Sequence, residues 1–492
     1  VTDRGNVLWI YSDELRTDAV SSYGNRHVAV ETPNIERIGT SGVVFDRFYV
    51  SSPVCVSSRY AMKTGLRPAR TGVYHNAAVF LDDGVRRPTF TATLASQGWR
   101  VADFGKGHVP ASLQAFPEHD PEGAQQLALM QAVAALDADR AGVVQRGGTG
   151  AGLGVLAATW PPDRPYPPAQ VTEHVRRFLR EVAASGEPFL CRASYLQPHT
   201  PVVVPEPWAS RYDDAPWPDE VEPEPGLSRF ERRYGEECGL ASFDPTQLVA
   251  VQARYHGLVS WVDAQVGALL DELDGCGLAE RTAVVFCSDH GALLGDYGGA
   301  MGKQTFAPAS QRVPLLVSWP GTLAPGRRSD LAEGVDLGPT VLGLVGAEPD
   351  HEVDGRDLFA DAEPEAVYAM IGYGNTGARA AAMVGVGSYL DGRGWPQRAC
   401  VRSGPWRLDR NTRIDGAEVT AEDRDTFLCN TDLDPLERVN LAGTAEHAAP
   451  QAHLDALLDE HVAGAVVVPD EAHAELVARL DAMRAAALDR GA

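Results

Sequence analysis

Two short apolar runs, each closed by an acidic residue, constrain the fold of this chain more than any other feature. Asn6 to Ser12 ends in Asp13, and Val284 to Cys287 leads into Asp289-His290-Gly291. Apolar runs without alternation read as strands buried on both faces, as in a parallel sheet. A carboxylate at the C-terminal end of such a strand lies where open α/β sheets place their ligands. Similar runs recur at Arg100 to Phe104, Pro188 to Leu196, Thr282 to Ser288 and Val313 to Trp319. Helical patterns separate them. Thr32-Pro33 offers a capping hydroxyl and a proline for the first helical position, and Gly39 to Gly42 stops that helix. The longest helix follows Pro245, where Leu248, Val251, Tyr255, Leu258, Val262, Val266, Leu269 and Leu273 recur at helical spacing until Gly275 and Gly277. The alternation predicts an α/β fold with a large, mostly parallel sheet covered by helices on both faces.

At 492 residues the chain exceeds what one core usually organises, so a large unit and a smaller one are expected. The pattern changes near residue 360. Beyond it, Val367 to Tyr373, Cys400 to Leu408 and Thr426 to Cys429 read as short strands, and Glu471 to Arg490 as an Ala-rich helix. We therefore expect a catalytic domain over 1–360 and a sheet-and-helix subdomain over 361–492. The Ala-, Gly- and Pro-rich stretch 109–168 reads as an insertion, either a lid or specificity loop or a disordered segment.

A formal net charge of −24 argues against nucleic acid or a membrane surface as partner. No run reaches the length of a membrane span. An anionic small-molecule substrate would need a local cluster of Arg, Lys, His and metal charge. The seven cysteines are odd in number and lack CxxC spacing, which disfavours zinc and disulfide frameworks. A cytosolic location is the expectation, with secretion after signal removal as the alternative; a homo-oligomer is compatible with the sequence. Gly147 to Gly154 lacks dinucleotide spacing, and Gly302-Lys303 lacks both the first glycine, at Tyr297, and the hydroxyl, at Gln304, of a phosphate loop.

Asp13 with Asp289 and His290 supplies hard oxygens plus one imidazole, a set that suits calcium, magnesium or manganese better than a thiolate zinc site. Taken singly, each Asp is more often a cap or turn residue. Cys55 opens a helix-like segment that carries Arg59 and ends at Thr64-Gly65. A helix N-terminus and Arg59 favour an anion or a thiolate at Cys55; a buried structural cysteine is the alternative. Cys191 and Cys287 read as core residues, His75 and His27 as surface or core histidines, and His256 as a solvent-facing residue of the long helix.

The run from Cys55 to Gly65, followed by Arg70-Thr71-Gly72-Val73, resembles the sulfatase signature and its TG element. Ser12-Asp13-Glu14-Leu15-Arg16, Tyr23-Gly24-Asn25 and Thr32-Pro33-Asn34-Ile35 are similar to the opening of that family. Gly105-Lys106-Gly107-His108, Gln197-Pro198-His199-Thr200-Pro201 and Ser288-Asp289-His290-Gly291 with Leu294-Gly295 and Lys303 continue the order. Val313-Pro314-Leu315-Leu316, Trp319-Pro320-Gly321, Pro339-Thr340 and Asp432-Leu433-Asp434-Pro435 with Glu437 and Asn440-Leu441 complete it. The resemblance is to the sulfatase family of the alkaline phosphatase superfamily, near the formylglycine sulfatases, choline sulfatases and phosphonate monoester hydrolases.

That resemblance implies an alkaline-phosphatase-like sandwich and metal-dependent hydrolysis of a sulfate, phosphate or phosphonate ester. In the family the signature cysteine is oxidised to formylglycine, whose hydrate is the nucleophile. Carried over, Asp13, Asp289, His290 and residue 55 would hold one divalent cation, calcium first, with Glu14 a weaker ligand in place of the usual Asp, Gln or Asn. Arg59 would orient the nucleophile, and Lys106 and His108 would steady it and break down the intermediate. His199 and Lys303 would bind the anion and assist the leaving group. Asn76 stands where related phosphonate monoester hydrolases and choline sulfatases place a substrate-facing asparagine.

The chain departs from the family at Ser57, where the maturation signal calls for proline, at Gly107, usually bulky, and over Thr305 to Gln311. Two further readings follow: unmodified Cys55 or metal-bound water acting on an unusual substrate, and a catalytically silent relative that binds a metal or anion.

Overall fold

The computed structural model describes residues 5–25, 28–80, 88–110, 113, 118–119, 129, 144–145, 155–217, 227–238, 245–296, 300–378, 389 and 392–489. His27, Tyr297, the glycine-rich stretch 147–154 and most of the insertion 109–168 lie outside them.

The first strand, β1 (Asn6–Asp13), is buried along its whole length. Leu8 and Ile10 enter one core while Val7, Trp9 and Tyr11 enter another on the opposite face, as the period of two requires. It is joined in one sheet by β2 (Gly42–Phe45), β3 (Arg100–Gly105), β4 (Glu118–His119), β5 (Phe189–Pro198), β6 (Thr282–Ser288), β7 (Leu315–Ser318) and β8 (Gly326–Arg328). The order is β8-β2-β7-β6-β1-β5-β3-β4. Only β7 runs antiparallel to its neighbours, β6 and β2; every other pairing is parallel. Gly42 permits the β2–β7 contact, because a Cβ there would lie 2.2 Å from the Val317 carbonyl oxygen.

Six helices of this unit are α1 (Pro33–Ser41), α2 (Cys55–Thr64), α3 (Ala169–Ser185), α4 (Arg229–Cys238), α5 (Pro245–Gly275) and α6 (Leu337–Leu344). Ile35, Ile38, Val175, Phe178, Val251 and Leu258 bring α1, α3 and α5 onto the Leu8/Ile10 face. Met62, Leu337 and Val341 bring α2 and α6 onto the other. The sheet is thus covered on both sides, as the apolar runs predict.

Two local expectations are corrected. Thr32 makes no side-chain cap on α1; its hydroxyl bonds Ser21 instead. The cap comes from Asp263 on α5, whose Oδ1 accepts the Asn34 and Ile35 N–H groups at 2.9 and 2.8 Å. His256 is buried, not solvent-facing. Its Nδ1 bonds the Gln252 carbonyl at 2.7 Å and its ring packs 5.1 Å from Trp217. The cause is the segment before Trp217, which runs so close to α5 that a Cβ at Gly257 would meet the Trp208 carbonyl oxygen at 2.4 Å.

After α6 a second, antiparallel sheet is built from β9 (Val367–Ile371), β10 (Gln397–Ser403), β11 (Trp406–Ile414), β12 (Ala417–Glu418) and β13 (Thr426–Asn430). Two helices follow, α7 (Ala448–Ala463) and α8 (Asp470–Asp489). Ala399, Val401, Leu408 and Leu428 pack on Leu454 and Leu458 of α7. The opposite face is charged and buried. Arg402 donates to Glu437 at 2.5 and 2.9 Å, and Arg407 donates to Glu437 at 2.9 Å and to Glu231 of α4 at 3.1 Å. Asp409 receives both Arg398 and Arg407, and Asp425 receives Arg398 at 3.1 Å while its carboxylate takes the first N–H groups of α4. Arg402 also donates to the Phe306 carbonyl and to Gln311 Oε1, at 2.8 and 3.0 Å. These contacts seat the small sheet on the segment that follows Lys303. We propose residue 360, between α6 and β9, as the boundary of the two units.

Candidate active site

β1 and β6 lie side by side and parallel, with Ser12 opposite Ser288. Their C-terminal ends therefore deliver Asp13 and Asp289 to one place. Cys55 is the first residue of α2, after Pro53 and the extended Val54. The ligand atoms of Asp13, Cys55, Asp289 and His290 all lie within 4.8 Å of one another, and all four residues are buried. Cys55 Sγ is 3.1 Å from His290 Nε2.

Cations surround this group. Arg59, one turn into α2, donates from Nη2 to Asp13 at 2.7 Å and from Nε to Asp289 at 2.8 Å. Lys106 Nζ reaches the same Asp13 oxygen at 2.5 Å. Lys303 Nζ stands 2.9 Å from Cys55 Sγ and 2.9 Å from His199 Nε2. Glu14, held at φ 67°, faces His199 and Lys303 at 3.4 and 4.0 Å. It groups with Asp13 and His199, a second set that shares Asp13 with the cysteine group. The side-chain Oδ1 of Asn76 accepts the Val56 N–H at 3.1 Å, so it satisfies an orphan donor in the first turn of α2.

Charge state follows from this packing. Burial pushes the Cys55 thiol up, but Lys303, Lys106, His290 and a hydrogen bond from His108 outweigh it and hold its pKa well below the ordinary thiol value. Burial likewise pushes Asp13 up, and Lys106 and Arg59 reverse that and keep it ionised. Asp289 is pushed up by burial and by the Asp13 charge, the behaviour of two carboxylates that share one site. His290 is raised to about 9, Asp289 and Cys55 prevailing over burial and Lys303.

The donor set fits a divalent cation. Asp13 Oδ1 is buried and accepts no hydrogen bond among the described residues. A desolvated carboxylate oxygen without a partner is costly, and a cation among two carboxylates, an imidazole and residue 55 satisfies it.

The site residues expected from the sequence lie in one region around Cys55, with Asn76, at the start of the short turn Asn76–Phe80, reaching the helix that starts at Cys55 through its side chain. Sequence reasoning missed the layer behind it. The Lys106 carbonyl accepts from Arg59 at 2.8 Å, Ser194 at 2.7 Å and Arg192 at 3.3 Å. Arg192 in turn binds Asp103 through two bonds of 2.7 Å. An arginine in the middle of the apolar run Pro188 to Leu196 was the available signal.

The sulfatase family model matches residues 5–347. This chain belongs to the sulfatase family. It is 25% identical to an arylsulfatase of Clostridium perfringens over 387 residues, 72% of this chain and 77% of that one. It is 26% identical to a choline-sulfatase of Rhizobium meliloti over 377 residues, 70% and 68% of the two chains. Its fold is that of the phosphonate monoester hydrolase from Silicibacter pomeroyi, with a TM-score of 0.71 at 22% identity, covering 94% and 96% of the two chains. The family places this chain among the hydrolases of sulfate or phosphonate esters.

Proposed function

We infer that the protein hydrolyses a sulfate ester, or a related phosphate or phosphonate ester, with residue 55 as nucleophile. The observation that carries this is Cys55 Sγ, at the head of α2, 2.9 Å from Lys303 Nζ and in one buried group with Asp13, Asp289 and His290. Asp13, Asp289, His290 and residue 55 would hold one divalent cation, calcium as the expected ion and magnesium or manganese as the alternatives, with Glu14 at its edge. When bound, the ion polarises the ester oxygens and lowers the pKa of the nucleophile. Lys303 and His199, joined at 2.9 Å, bind the anionic oxygens and pass a proton to the leaving oxygen. Arg59 fixes both carboxylates, Lys106 holds Asp13, and His108, hydrogen-bonded to residue 55, steadies the nucleophile and takes its proton. Asn76 orients the first turn of α2 beside the substrate.

Whether residue 55 is formylglycine is tested by intact-peptide mass spectrometry on protein from its native host. Turnover is tested on metal-loaded protein with aryl sulfates, phosphodiesters and phosphonates. Hydrolysis of none of them would refute the proposal and leave the silent reading. Ser57 favours a second reading, in which Cys55 stays a thiol, attacks as thiolate with departure of the alkoxide, and forms an S-linked intermediate that water hydrolyses to restore the thiol. Loss of turnover in Cys55→Ala, in protein that lacks the aldehyde, is its expected result, and full retention excludes it. Six described cysteines are free thiols, which supports a reducing compartment. No helix among the described residues is long and apolar enough to cross a membrane.

A further inference from the structure

Behind the site, two neighbouring strands carry buried charges. Asp103 of β3 and Arg192 of β5 stand directly opposite each other in the parallel register, and both are buried. Arg192 donates from Nε and Nη2 to the two Asp103 oxygens at 2.7 Å each, a fork that fixes the guanidinium plane. Lys63, one turn along α2 from Arg59, places Nζ 3.4 Å from the same carboxylate. The Arg192 guanidinium lies 5.3 and 5.7 Å from the ring centroids of Trp9 and Tyr11, and that of Arg59 lies 4.6 Å from the Tyr11 centroid. Replacing a buried ion pair by apolar side chains of similar volume is often neutral or stabilising. Stability alone therefore does not account for this set.

What apolar side chains could not supply is a donor aimed at Lys106. The Arg192 Nη2 that binds Asp103 also reaches the Lys106 carbonyl at 3.3 Å. Ser194 Oγ donates to that carbonyl at 2.7 Å while accepting from Arg59 Nη1 at 3.2 Å, and the Lys106 N–H donates to the Ser194 carbonyl at 2.9 Å. Both backbone polar groups of Lys106 are thus pinned to β5. His108, two residues on, is held at φ 48°, a backbone state that persists only where its surroundings impose it. The result is read at Asp13. Lys106 Nζ and Arg59 Nη2 converge on its Oδ2, at 2.5 and 2.7 Å. Its Oδ1, without a hydrogen bond among the described residues, faces His290 Nε2 at 3.8 Å.

We propose that Arg192, held by Asp103, is a positioning residue of the site: it sets the Lys106 peptide so that Lys106 and Arg59 close on Asp13 Oδ2 and leave Oδ1 directed at the cation. The proposal rests on the hydrolase reading above and adds to it a residue that acts through Lys106 and Arg59.

Loss of a group behind a metal ligand costs roughly 10–100-fold in metal affinity or activity. The test compares the wild type with Arg192→Lys, with Lys63→Met, and with the triple variant Lys63→Met, Asp103→Leu, Arg192→Met, which leaves no member of the set charged and alone. Each protein is titrated with calcium chloride by calorimetry, unfolded in urea, and assayed for kcat and KM on the aryl sulfate or aryl phosphonate that the wild type turns over. Arg192→Lys keeps a charge beside Asp103 but loses the fork, so kcat should fall about 10-fold and the calcium Kd rise about 10-fold, with KM little changed. The triple variant should show at least these losses at a urea midpoint equal to or above that of the wild type. Lys63→Met leaves the fork intact and should keep kcat and Kd within about 2-fold of the wild type. Wild-type kcat and calcium Kd in either the triple variant or Arg192→Lys would overturn the proposal. Losses of the same size in Lys63→Met would overturn it too, because they would assign the effect to packing. A wild type that hydrolyses none of the esters would instead overturn the hydrolase reading, and the calcium Kd of the variants would still decide the role of Arg192.

Discussion

Removing one charge from the small sheet should unfold it far more readily than its size suggests. Glu437 accepts three guanidinium bonds, two from Arg402 at 2.5 and 2.9 Å and one from Arg407 at 2.9 Å, and it is buried. In Glu437→Gln the volume is kept, but the amide N–H groups face arginine donors and two buried cations lose a partner. Breaking one side of a buried ion pair costs roughly 3–5 kcal/mol. Arg407 keeps Glu231, at 3.1 Å, and Asp409 as partners, which offsets part of that, so about 3 kcal/mol is expected, roughly 100-fold in the unfolding equilibrium. The assay is urea unfolding followed by the fluorescence of Trp395 and Trp406. Glu352→Gln is the control, since its side chain is 82% exposed and lies 3.4 Å from Arg70; its change should stay within ~0.5 kcal/mol. The sign with pH can be worked out as well. Burial would raise Glu437, but Arg402 and Arg407 hold it below the ordinary carboxylate range. Its contribution is thus present above that range and lost as pH falls through the folded value. The wild type should lose this increment on acidification and the variant should not. A midpoint for Glu437→Gln equal to that of the control would refute the reasoning.

Three further outcomes are expected. Calcium should raise the thermal midpoint by an amount that grows with RT ln(1 + [L]/Kd), and Asp13→Asn should abolish the rise, read by scanning fluorimetry without substrate. Lys303→Ala should lower kcat on the best ester by roughly 10²–10³, as for removal of one transition-state donor; an unchanged kcat would remove Lys303 from the chemistry. Lys63, buried beside Asp103 and Arg192, is lowered to about 7 by burial and by Arg192. Its unfolded form binds the proton more tightly, so stability should rise from pH 7 toward the ordinary lysine value, and Lys63→Met should flatten that slope in denaturant titrations.

Much of the site was legible because the strands that deliver it are locally marked. Asp13 and Asp289 each follow an apolar run, and Cys55 opens a helix that Gly65 closes. What the sequence hides depends on partners hundreds of residues away. Asp263 caps α1 across 229 residues, a contact that Thr32-Pro33 gave no reason to expect. His256 is covered by a segment with no periodic signal. Arg398, Arg402 and Arg407 look like the exposed alternation of an edge sheet, yet α4 and the segment after Lys303 bury them. Only tertiary packing decides which face of an alternating strand is wet.

The anchoring of Phe306 and Gln311 by Arg402 has a consequence for engineering. Exchanging the small C-terminal unit between relatives would change more than a remote appendage, since the graft carries the contacts that seat the segment following Lys303, the lysine proposed above to act on the substrate. Chimeras should work only when the arginine, its glutamate and the glutamine it clasps travel together.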